Sequence, residues 1–257
     1  MAKNILKIDE RRKQIVDYIA QKGEVRVTEL SDVFDTTGVT IRSDLAALES
    51  SGYLKRVSGG AVHNANNFYN LNFIQRNQQN AEFKSEVGKS VAKYISNGET
   101  IFINSGATTY YTAIALKELK NLSIVTNSIT IAVEFSSHIG FNVILLGGSL
   151  NPQFAFTYGA DALEQLRKYK ADVCILSIDG IHPAARYTTY HADEAVIDQE
   201  MVMKSRRCII ASDHTKIGHE SFSQVAGVPD SALIVTNKCI DPAVVAKFKK
   251  EGFNIVS

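Results

Sequence analysis

The residues from Thr28 to Val62 constrain the fold of this chain most, because they predict two short helices and a β-hairpin in close succession. A helix over Arg11–Lys22 is predicted before them, and its apolar stripe consists of Ile15, Val16, Ile19 and Ala20. After an extended segment over Val25–Val27, Thr28 is predicted to cap a second helix that ends near Asp35. This order of elements predicts a small trihelical unit that ends in a hairpin.

A third helix is predicted to follow Thr37, whose hydroxyl can cap it. Its buried stripe would be Ile41, Leu45 and Leu48. Its other face begins with Val39, Thr40, Arg42 and Ser43. Short side chains at a helix N-terminus suit the major groove of duplex DNA, where Arg42 can pair with guanine or neutralise a phosphate, and Val39 or Thr40 can meet a thymine methyl.

The hairpin is predicted over Tyr53–Val62, which would form a wing with Lys55 and Arg56 along the sugar-phosphate backbone. Small trihelical modules also serve as protein-binding units, so periodicity alone leaves the partner open. On the DNA-binding interpretation, the candidate contact residues are Thr28, Thr37, Val39, Thr40, Arg42, Ser43, Lys55 and Arg56.

The order of residues in this region is more specific than its periodicity. Thr-x-x-Thr-Ile-Arg-x-Asp-Leu spans Thr37 to Leu45, and Leu-Glu, Gly, Leu-Lys-Arg and Gly-Gly-Ala follow it. This order resembles the DNA-binding domain of the DeoR family of bacterial sugar-responsive repressors. The resemblance implies a winged helix-turn-helix that binds double-stranded operator DNA. Ser43 stands where many relatives carry a second arginine, which implies one fewer phosphate contact or a different operator.

Length and charge bound the rest of the chain. At 257 residues and 45% hydrophobic content, the chain is long enough for a second domain with its own core. The net charge of +1 is a weak sign of nucleic-acid binding. Local positive charge would come instead from Arg11, Arg12 and Lys13, from Arg42, and from the wing, so operator binding should be sensitive to salt.

The expected domain boundaries are 1–62 for the winged helix-turn-helix, 63–79 for a linker and 80–257 for an α/β effector-binding and oligomerisation domain. The linker is rich in asparagine and glutamine and buries little. Its apolar residues predict that part of it packs on the second domain: Phe68, Tyr69, Leu71, Phe73 and Ile74.

From Ala81 onward, apolar strands alternate with helical patterns. The predicted strands are Thr100–Ile103, Leu122–Val125, Asn142–Leu146, Asp172–Ser177, Arg207–Ala211, Ala232–Val235 and Asn254–Val256. The predicted helices are one through Val87 and Val91, then Thr109–Leu119, Ile129–Ser136, Ala160–Tyr169, Ala192–Lys204 and Pro242–Glu251. Continuous apolar strands indicate burial on both faces, which predicts a mostly parallel sheet between helices.

Ligands of such sheets bind at the carboxyl ends of the strands, so the loops that follow the strands are the candidate site. They hold backbone amides and hydroxyls suited to an anion, together with acids and a lysine suited to a polyol. Taken singly, each loop is explained by turns and helix caps. The candidate effector-binding residues are Asn104, Ser105, Gly106, Ala107, Thr108, Thr109, Thr126, Asn127, Ser128, Gly147, Gly148, Asp179, Gly180, Thr188, Glu194, Asp213 and Lys216.

The order of these loop motifs is also similar to the effector domain of the DeoR family. The resemblance implies an α/β fold like ribose-5-phosphate isomerase, used to sense a phosphorylated sugar. It implies that Ser105, Gly106, Thr108 and Thr109 hold the anion, and that Asp179, Glu194, Asp213 and Lys216 face the polyol. Two departures are Asn104, in place of an acid, and Ala185–Tyr187, where Arg186 would add a second anion contact.

Two classes of function follow. One is a repressor of a carbohydrate operon that is released by a sugar phosphate and binds symmetric operators as a dimer or tetramer. The other is a sugar-phosphate isomerase with a DNA-binding appendage, with Asp179, Asp213 or Glu194 as base and Lys216 stabilising an enediolate. The first is favoured, so no catalytic residue, cofactor or metal is assigned.

The cysteines, histidines and apolar runs add little to the prediction of function. Cys174, Cys208 and Cys239 are expected to be buried small hydrophobes. His182, His191, His214 and His219 are expected to be polar loop residues, since no metal-ligand spacing relates them. The chain has no apolar run of membrane length and no signal-peptide core, which predicts a cytoplasmic protein with no membrane partner.

Overall fold

The computed structural model describes residues 11–12, 14–15, 18–19, 22–50, 54–63 and 73–257. Its contacts divide the chain into two compact units, Met1–Asn72 and Phe73–Ser257. Several residues of the sequence predictions lie outside the described ranges: Lys13, Val16, Ala20, Tyr53, Phe68, Tyr69 and Leu71.

The first unit contains helices and a small antiparallel sheet. The described residues from 11 to 22 are helical. They are followed by β1 Glu24–Arg26, α1 Val27–Val33, α2 Gly38–Ser50, β2 Leu54–Val57 and β3 Gly60–His63. The three strands pair in the order β1-β3-β2. The buried core includes the predicted stripes: Ile15, Ile19, Leu30, Ile41, Leu45 and Leu48. These elements confirm the expected order of helices and hairpin.

The two predicted helix caps have different outcomes. The Thr37 hydroxyl accepts a hydrogen bond from the Thr40 backbone N–H at 3.2 Å, which confirms the cap of α2. The prediction that Thr28 caps the preceding helix is wrong, because α1 begins at Val27 and Arg26 occupies the N-cap position. The strand β1 runs directly into α1, so Thr28 already lies in the first helical turn.

The wing depends on a glycine at a close approach between strands. A Cβ atom at Gly60 would lie 2.1 Å from the carbonyl oxygen of Val25, a distance that no side chain permits. Gly59 forms the turn with φ of +80°, a conformation that favours glycine. The Gly-Gly pair of the sequence therefore closes the hairpin and lets β3 pack against β1.

The second unit is an α/β structure. Its helices are α3 Phe73–Gln78, α4 Ala81–Ala92, α5 Ala107–Leu116, α6 Ile129–Ser136, α7 Ala160–Leu166, α8 Ala192–Met203 and α9 Pro242–Lys250. The strands of its main sheet are β4 Thr100–Ile103, β5 Ser123–Thr126, β6 Asn142–Leu145, β9 Ala171–Leu176, β12 Ser205–Ala211, β14 Leu233–Val235 and β15 Asn254–Val256. These are the seven predicted strands, and every adjacent pair is parallel.

The sheet is buried on both faces, as its continuous apolar strands predict. Successive residues of a strand point to opposite faces, so Phe102 packs in one core and Ile101 in the other. Helices α7, α8 and α9 supply Leu166, Met201 and Phe248 to the first core. Helices α4, α5 and α6 supply residues such as Val87 to the second core. The helices thus cover both faces of a parallel sheet.

Short antiparallel pairs were not predicted from the sequence. A hairpin pairs β7 Ser149–Asn151 with β8 Phe156–Tyr158. A second small sheet pairs β10 Gly180–His182, β11 Arg186–Thr189 and β13 Ser223–Gln224. Thr188, a candidate residue assigned to a loop, therefore lies in β11, whereas Glu194 lies in α8 as the predicted helix Ala192–Lys204 requires.

The strand order creates a crevice at one place in the sheet. The order is β15-β14-β12-β9-β4-β5-β6, so the chain builds from β4 to one edge and then returns to the other side of β4 with β9. Loops that leave the carboxyl ends of β4 and β9 diverge in opposite directions. Open α/β sheets bind their ligands at such a switch point.

The cysteines differ in their exposure to solvent. Cys174 and Cys208 are buried, but Cys239 is exposed, so the prediction of burial is wrong for Cys239. It lies in the turn after β14, beyond the end of the buried strand. Within the described ranges, the structure contains no helix that is long and apolar enough to cross a membrane.

Candidate functional site

Asn104 joins the two loops at the switch point. Its amide nitrogen donates hydrogen bonds to the Ser177 carbonyl at 3.0 Å and to the Asp198 carboxylate at 2.9 Å. Its amide oxygen accepts a hydrogen bond from the Ser177 backbone N–H at 2.9 Å. The side chain is completely buried, and both amide hydrogens are used within the protein. In this structure, Asn104 therefore links the ends of β4 and β9.

The loop after β4 brings a helix N-terminus to the crevice. A Cβ atom at Gly106 would lie 2.6 Å from Cβ of Ser177, so only glycine permits this approach of the two loops. The Ser105 backbone N–H donates to the Asn127 side chain at 3.1 Å, and the Thr109 hydroxyl donates to the Asn104 carbonyl at 3.0 Å. Helix α5 then begins at Ala107, and its first-turn amides have no partner within the helix.

A buried pair of carboxyl groups lies beside this helix start. Glu194 accepts hydrogen bonds from the Ser105 hydroxyl at 2.7 Å and from the Thr189 hydroxyl at 3.1 Å. The same Thr189 hydroxyl lies 3.2 Å from the Asp179 carboxylate, which also accepts from the Tyr190 backbone N–H at 2.9 Å. One hydroxyl hydrogen cannot serve two carboxylates at once, so this geometry favours a proton on one of the acids.

Burial identifies Glu194 as the acid that holds this proton. Removal from water raises the pKa of Glu194 to about 7, and the nearby Asp179 carboxylate adds to the rise. Burial also raises the pKa of Asp198 above its ordinary range, with Glu194 as the next cause. The site thus contains acceptors for hydroxyl groups and at least one acid that can act as a donor.

Three cations lie near one another, and two of them, Arg76 and Lys216, lie near Asp179. The Arg76 guanidinium forms an ion pair with Asp179 at 3.1 Å. The buried Lys84 ammonium donates to the Arg76 carbonyl at 2.5 Å, and burial lowers the pKa of Lys84 to about 8. Burial also lowers the pKa of Lys216 to about 8, and repulsion from Arg76 contributes to that decrease. The crevice therefore concentrates positive charge next to the acids.

The remaining candidate residues of the second unit have mainly structural contacts. The Thr126 hydroxyl accepts from the Ser128 N–H, and Ser128 caps α6. The Gly147 N–H donates to Gln165, and a Cβ at Gly148 would lie 2.5 Å from the Tyr158 carbonyl. The other contacts are turn and strand bonds: Gly180 and Thr188 pair across β10 and β11, and Asp213 caps the short helix His214–Lys216.

Arg186 has protein partners at its guanidinium. The guanidinium pairs with Asp230 and lies 4.2 Å from the centroid of the Phe253 ring. Arg186 is the first residue of β11 and has φ of +58°. The expected second anion contact of Arg186 stays a prediction. Among the described residues, no group of three or more His, Cys, Asp or Glu side chains has an arrangement that could hold a metal ion.

Sequence reasoning did not assign three residues of the crevice. Arg76 lies in the stretch expected as a linker, Lys84 lies in α4, and Thr189 follows Thr188 at the end of β11. Lys84 had a usable signal, because it lies three and seven residues before Val87 and Val91 on the buried stripe of α4. A lysine on an otherwise apolar, buried stripe of a helix indicates a buried charge with a structural or functional role.

The first unit presents the predicted face of α2 to solvent. Val39 is 74% exposed, Arg42 and Ser43 are exposed, and Thr40 is partly buried beside Thr37. Lys55 and Arg56 are exposed on the wing, and the Arg56 backbone N–H donates to Glu49. These placements agree with the geometry of a recognition helix and a wing.

The N-terminal arginines have a second role. Arg11 and Arg12 each donate to the buried Asp44 carboxylate, at 2.7 and 2.9 Å. One negative charge between two guanidinium groups leaves less free positive charge than the sequence predicts. The pair also fixes the first helical segment against α2, since Asp44 lies within that helix.

The fold and the two sites define a two-part protein, with a helix-turn-helix unit and an α/β unit that carries a polar crevice. The model of the DeoR-like helix-turn-helix domain matches residues 11–67, and the model of the DeoR C terminal sensor domain matches residues 79–238. The chain therefore belongs to the DeoR family of transcriptional regulators. This membership confirms the resemblance in both halves and the interpretation as a regulator rather than an enzyme.

Relatives match over nearly the whole chain. The uncharacterized HTH-type transcriptional regulator YulB of Bacillus subtilis is 31% identical over 97% of this chain and 96% of its own length. The putative aga operon transcriptional repressor of Escherichia coli O157:H7 is 27% identical over 99% and 95%. The glycerol-3-phosphate regulon repressor of Escherichia coli K12 is 29% identical over 87% of this chain and 88% of its own length.

Solved structures show a partial similarity to this chain. D-ribose-5-phosphate isomerase in complex with phospho-erythronic acid has a TM-score of 0.40 and 17% identity, covering 53% of this chain and 54% of that chain. Ribose 5 phosphate isomerase A from Neisseria gonorrhoeae has a TM-score of 0.39 and 15% identity, covering 53% of each chain. These are similarities of fold and of nothing further.

Proposed function

We propose that this chain represses a carbohydrate catabolic operon and leaves its operator when a phosphorylated sugar binds in the crevice. The observation that supports this proposal best is the convergence of Glu194, Asp179 and Arg76 at the start of α5. Two of the relatives above are named as repressors of an aga operon and of a glycerol-3-phosphate regulon.

The chemistry of the crevice fits the two ends of a sugar phosphate. Free amides at a helix N-terminus bind phosphate, and Ser105 to Thr109 form the start of α5. Carboxylates accept hydrogen bonds from sugar hydroxyls, and Asp179 and Glu194 lie on the same side of that helix start. Lys216, which the resemblance placed toward the polyol, is assigned here to the anionic group instead, because it lies near Arg76 and Asp179.

The DNA-binding half of the proposal rests on α2 and the wing. Arg42 and the short side chains before it would contact base edges, and Lys55 and Arg56 would contact phosphates. Symmetric operators require at least two copies of the chain, so the protein would act as a dimer or tetramer in the cytoplasm. Because coupling is reciprocal, an effector that weakens operator binding must itself bind the operator complex less well.

A thermal-shift screen of the full chain tests the effector. The probes are pentose, hexose and hexitol monophosphates, each beside its unphosphorylated parent. A compound at a hundred times its Kd adds about 2.7 kcal/mol to the free energy of unfolding, which raises Tm by roughly 5 to 10 °C in a unit of this size. We expect one phosphorylated compound to give such a shift and its parent to give much less.

Two serine variants localise the binding. Ser105→Ala removes a hydroxyl from the crevice, whereas Ser136→Ala removes one that bonds its own helix on an exposed surface. The shift should fall in the first variant and remain in the second. Footprinting upstream of neighbouring catabolic genes at low salt should then show a protected site that the same compound releases. The proposal is wrong if no phosphorylated compound stabilises the wild-type chain.

A further inference from the structure

Helix α3 lies across the mouth of the crevice. Its Arg76 side chain is only 14% exposed, pairs with Asp179 and lies 5.1 Å from the ring centroid of Phe154. Phe154 follows β7 in the hairpin next to the sheet. The guanidinium therefore sits between an acid of the crevice and an aromatic ring, at a position that the sequence assigned to a linker.

The contacts that hold α3 are few and mostly polar. The Phe73 backbone N–H donates to the Gln153 carbonyl at 3.0 Å, and the Phe73 ring packs edge-on against Tyr110. The Tyr111 hydroxyl donates to the Asn77 carbonyl at 3.1 Å. The helix has six residues and none of them is buried. A helix this short has little stability of its own, so a modest change in its contacts can release it.

The space between α3 and α5 is too small for a phosphate group. Arg76 and Phe73 line one side of a cavity, and Ser105, Gly106 and Ala107 line the other. The cavity offers about 10 Å³ to the centre of a water molecule, which is room for one water. A phosphate group can enter only if α3 or its side chains move.

We propose that Arg76 is a ligand of the effector's anionic group, and that it changes partner from Asp179 to that group when α3 moves to admit it. The proposal rests on the proposed function, because it assigns a further residue to the same site. Arg76 would then select phosphorylated sugars over their neutral parents. Its release would also free an oxygen of Asp179 to accept a hydrogen bond from a sugar hydroxyl.

The charges near Arg76 support this change of partner. Burial lowers the pKa values of Lys84 and Lys216 to about 8, attraction to Asp213 and to Asp179 respectively opposes that decrease, and repulsion from Arg76 makes a smaller contribution to it. An anion placed among the three cations would relieve this repulsion, and arginine binds phosphate with two parallel hydrogen bonds.

The test measures binding of the compound with the largest thermal shift and of its unphosphorylated parent, by calorimetry on the full chain. Arg76→Gln removes the charge from the crevice, and Arg206→Gln removes one from a side chain that is 84% exposed. We expect Arg76→Gln to weaken the phosphorylated compound about 10- to 100-fold and the parent less than about 2-fold, as a lost charge-assisted hydrogen bond predicts. Arg206→Gln should change neither.

A conservative variant and a second readout separate binding from folding. Arg76→Lys keeps the charge beside Asp179, so it should fold where the glutamine variant fails and should bind with an intermediate affinity. In the wild type, the compound should change hydrogen exchange in residues 73–78 more than in Ala81–Ala92. Equal binding of the phosphorylated compound by Arg76→Gln and wild type overturns the role of Arg76 alone. A wild type that binds no sugar phosphate overturns the proposed function and this inference together.

Discussion

Glu194 should give the fold of the second unit a measurable dependence on pH. Burial raises the pKa of this carboxyl from its ordinary 4.5 to about 7, so the folded chain holds the proton more tightly than the unfolded chain. The stabilisation is complete below pH 4.5 and is lost as pH rises through about 7. At about 1.4 kcal/mol for each unit of pKa, the loss amounts to about 3 kcal/mol.

Glu194→Gln tests this reasoning, because glutamine has the shape of the protonated acid and stays neutral at every pH. Urea unfolding of both proteins at pH 5, 6, 7 and 8 gives the difference in the free energy of unfolding. We expect the variant to gain stability relative to wild type by about 2.5 kcal/mol between pH 5 and pH 8, because part of the total loss already occurs below pH 5. Glu164→Gln, at a side chain that is 77% exposed, should show no such trend. A constant difference across the four pH values would refute the assignment of the proton to Glu194.

Three further predictions test separate features of the two units. Asp44→Asn should lower the stability of the first unit by about 2 to 3 kcal/mol, because the partly exposed Arg11 and Arg12 lose a buried carboxylate partner. Unchanged hydrogen-exchange protection in α2 would contradict this prediction. Arg42→Ala should reduce specific operator binding, whereas Lys55→Ala should weaken specific and non-specific DNA binding about equally. Gel shifts at two salt concentrations distinguish the two effects. An unchanged gel-shift pattern for Arg42→Ala would contradict the assigned role of Arg42. Gly106→Ala should lower the free energy of unfolding by about 1 to 3 kcal/mol and abolish the thermal shift caused by a sugar phosphate, because the added Cβ would overlap Ser177. A normal thermal shift in this variant would show that the loop adapts.

The main elements of the fold were predictable because their signal is local. Each strand of the parallel sheet is a continuous apolar run, and its ends differ from the prediction by at most two residues. The order of those strands depends on contacts between distant residues, so periodicity could not supply it. The hairpin Ser149–Tyr158 and the strands around Tyr187 were missed because they are short and mix polar with apolar residues.

The residues of the candidate site were predictable only where they adjoin a recognisable strand or helix. Ser105 and Glu194 were found because they follow a strand or begin a helix within a recognisable motif. Arg76 was missed because it precedes the first strand of the sheet by more than twenty residues and lies in a polar run. Its position over the crevice comes from the path of α3 and from its pairing with Asp179, neither of which leaves a sequence pattern.

The buried charges of the crevice limit the kind of ligand that it can hold. Lys84 and Lys216 have pKa values lowered to about 8, and Glu194 has one raised to about 7, so burial disfavours the charge on all three. Apolar side chains of similar volume would serve stability as well or better, and such departures concentrate at functional sites. A neutral sugar would satisfy the acids and leave the cations in repulsion, and inorganic phosphate would do the reverse. The proposed effector, a phosphorylated sugar, would offer an anion to the cations and hydroxyl groups to the acids.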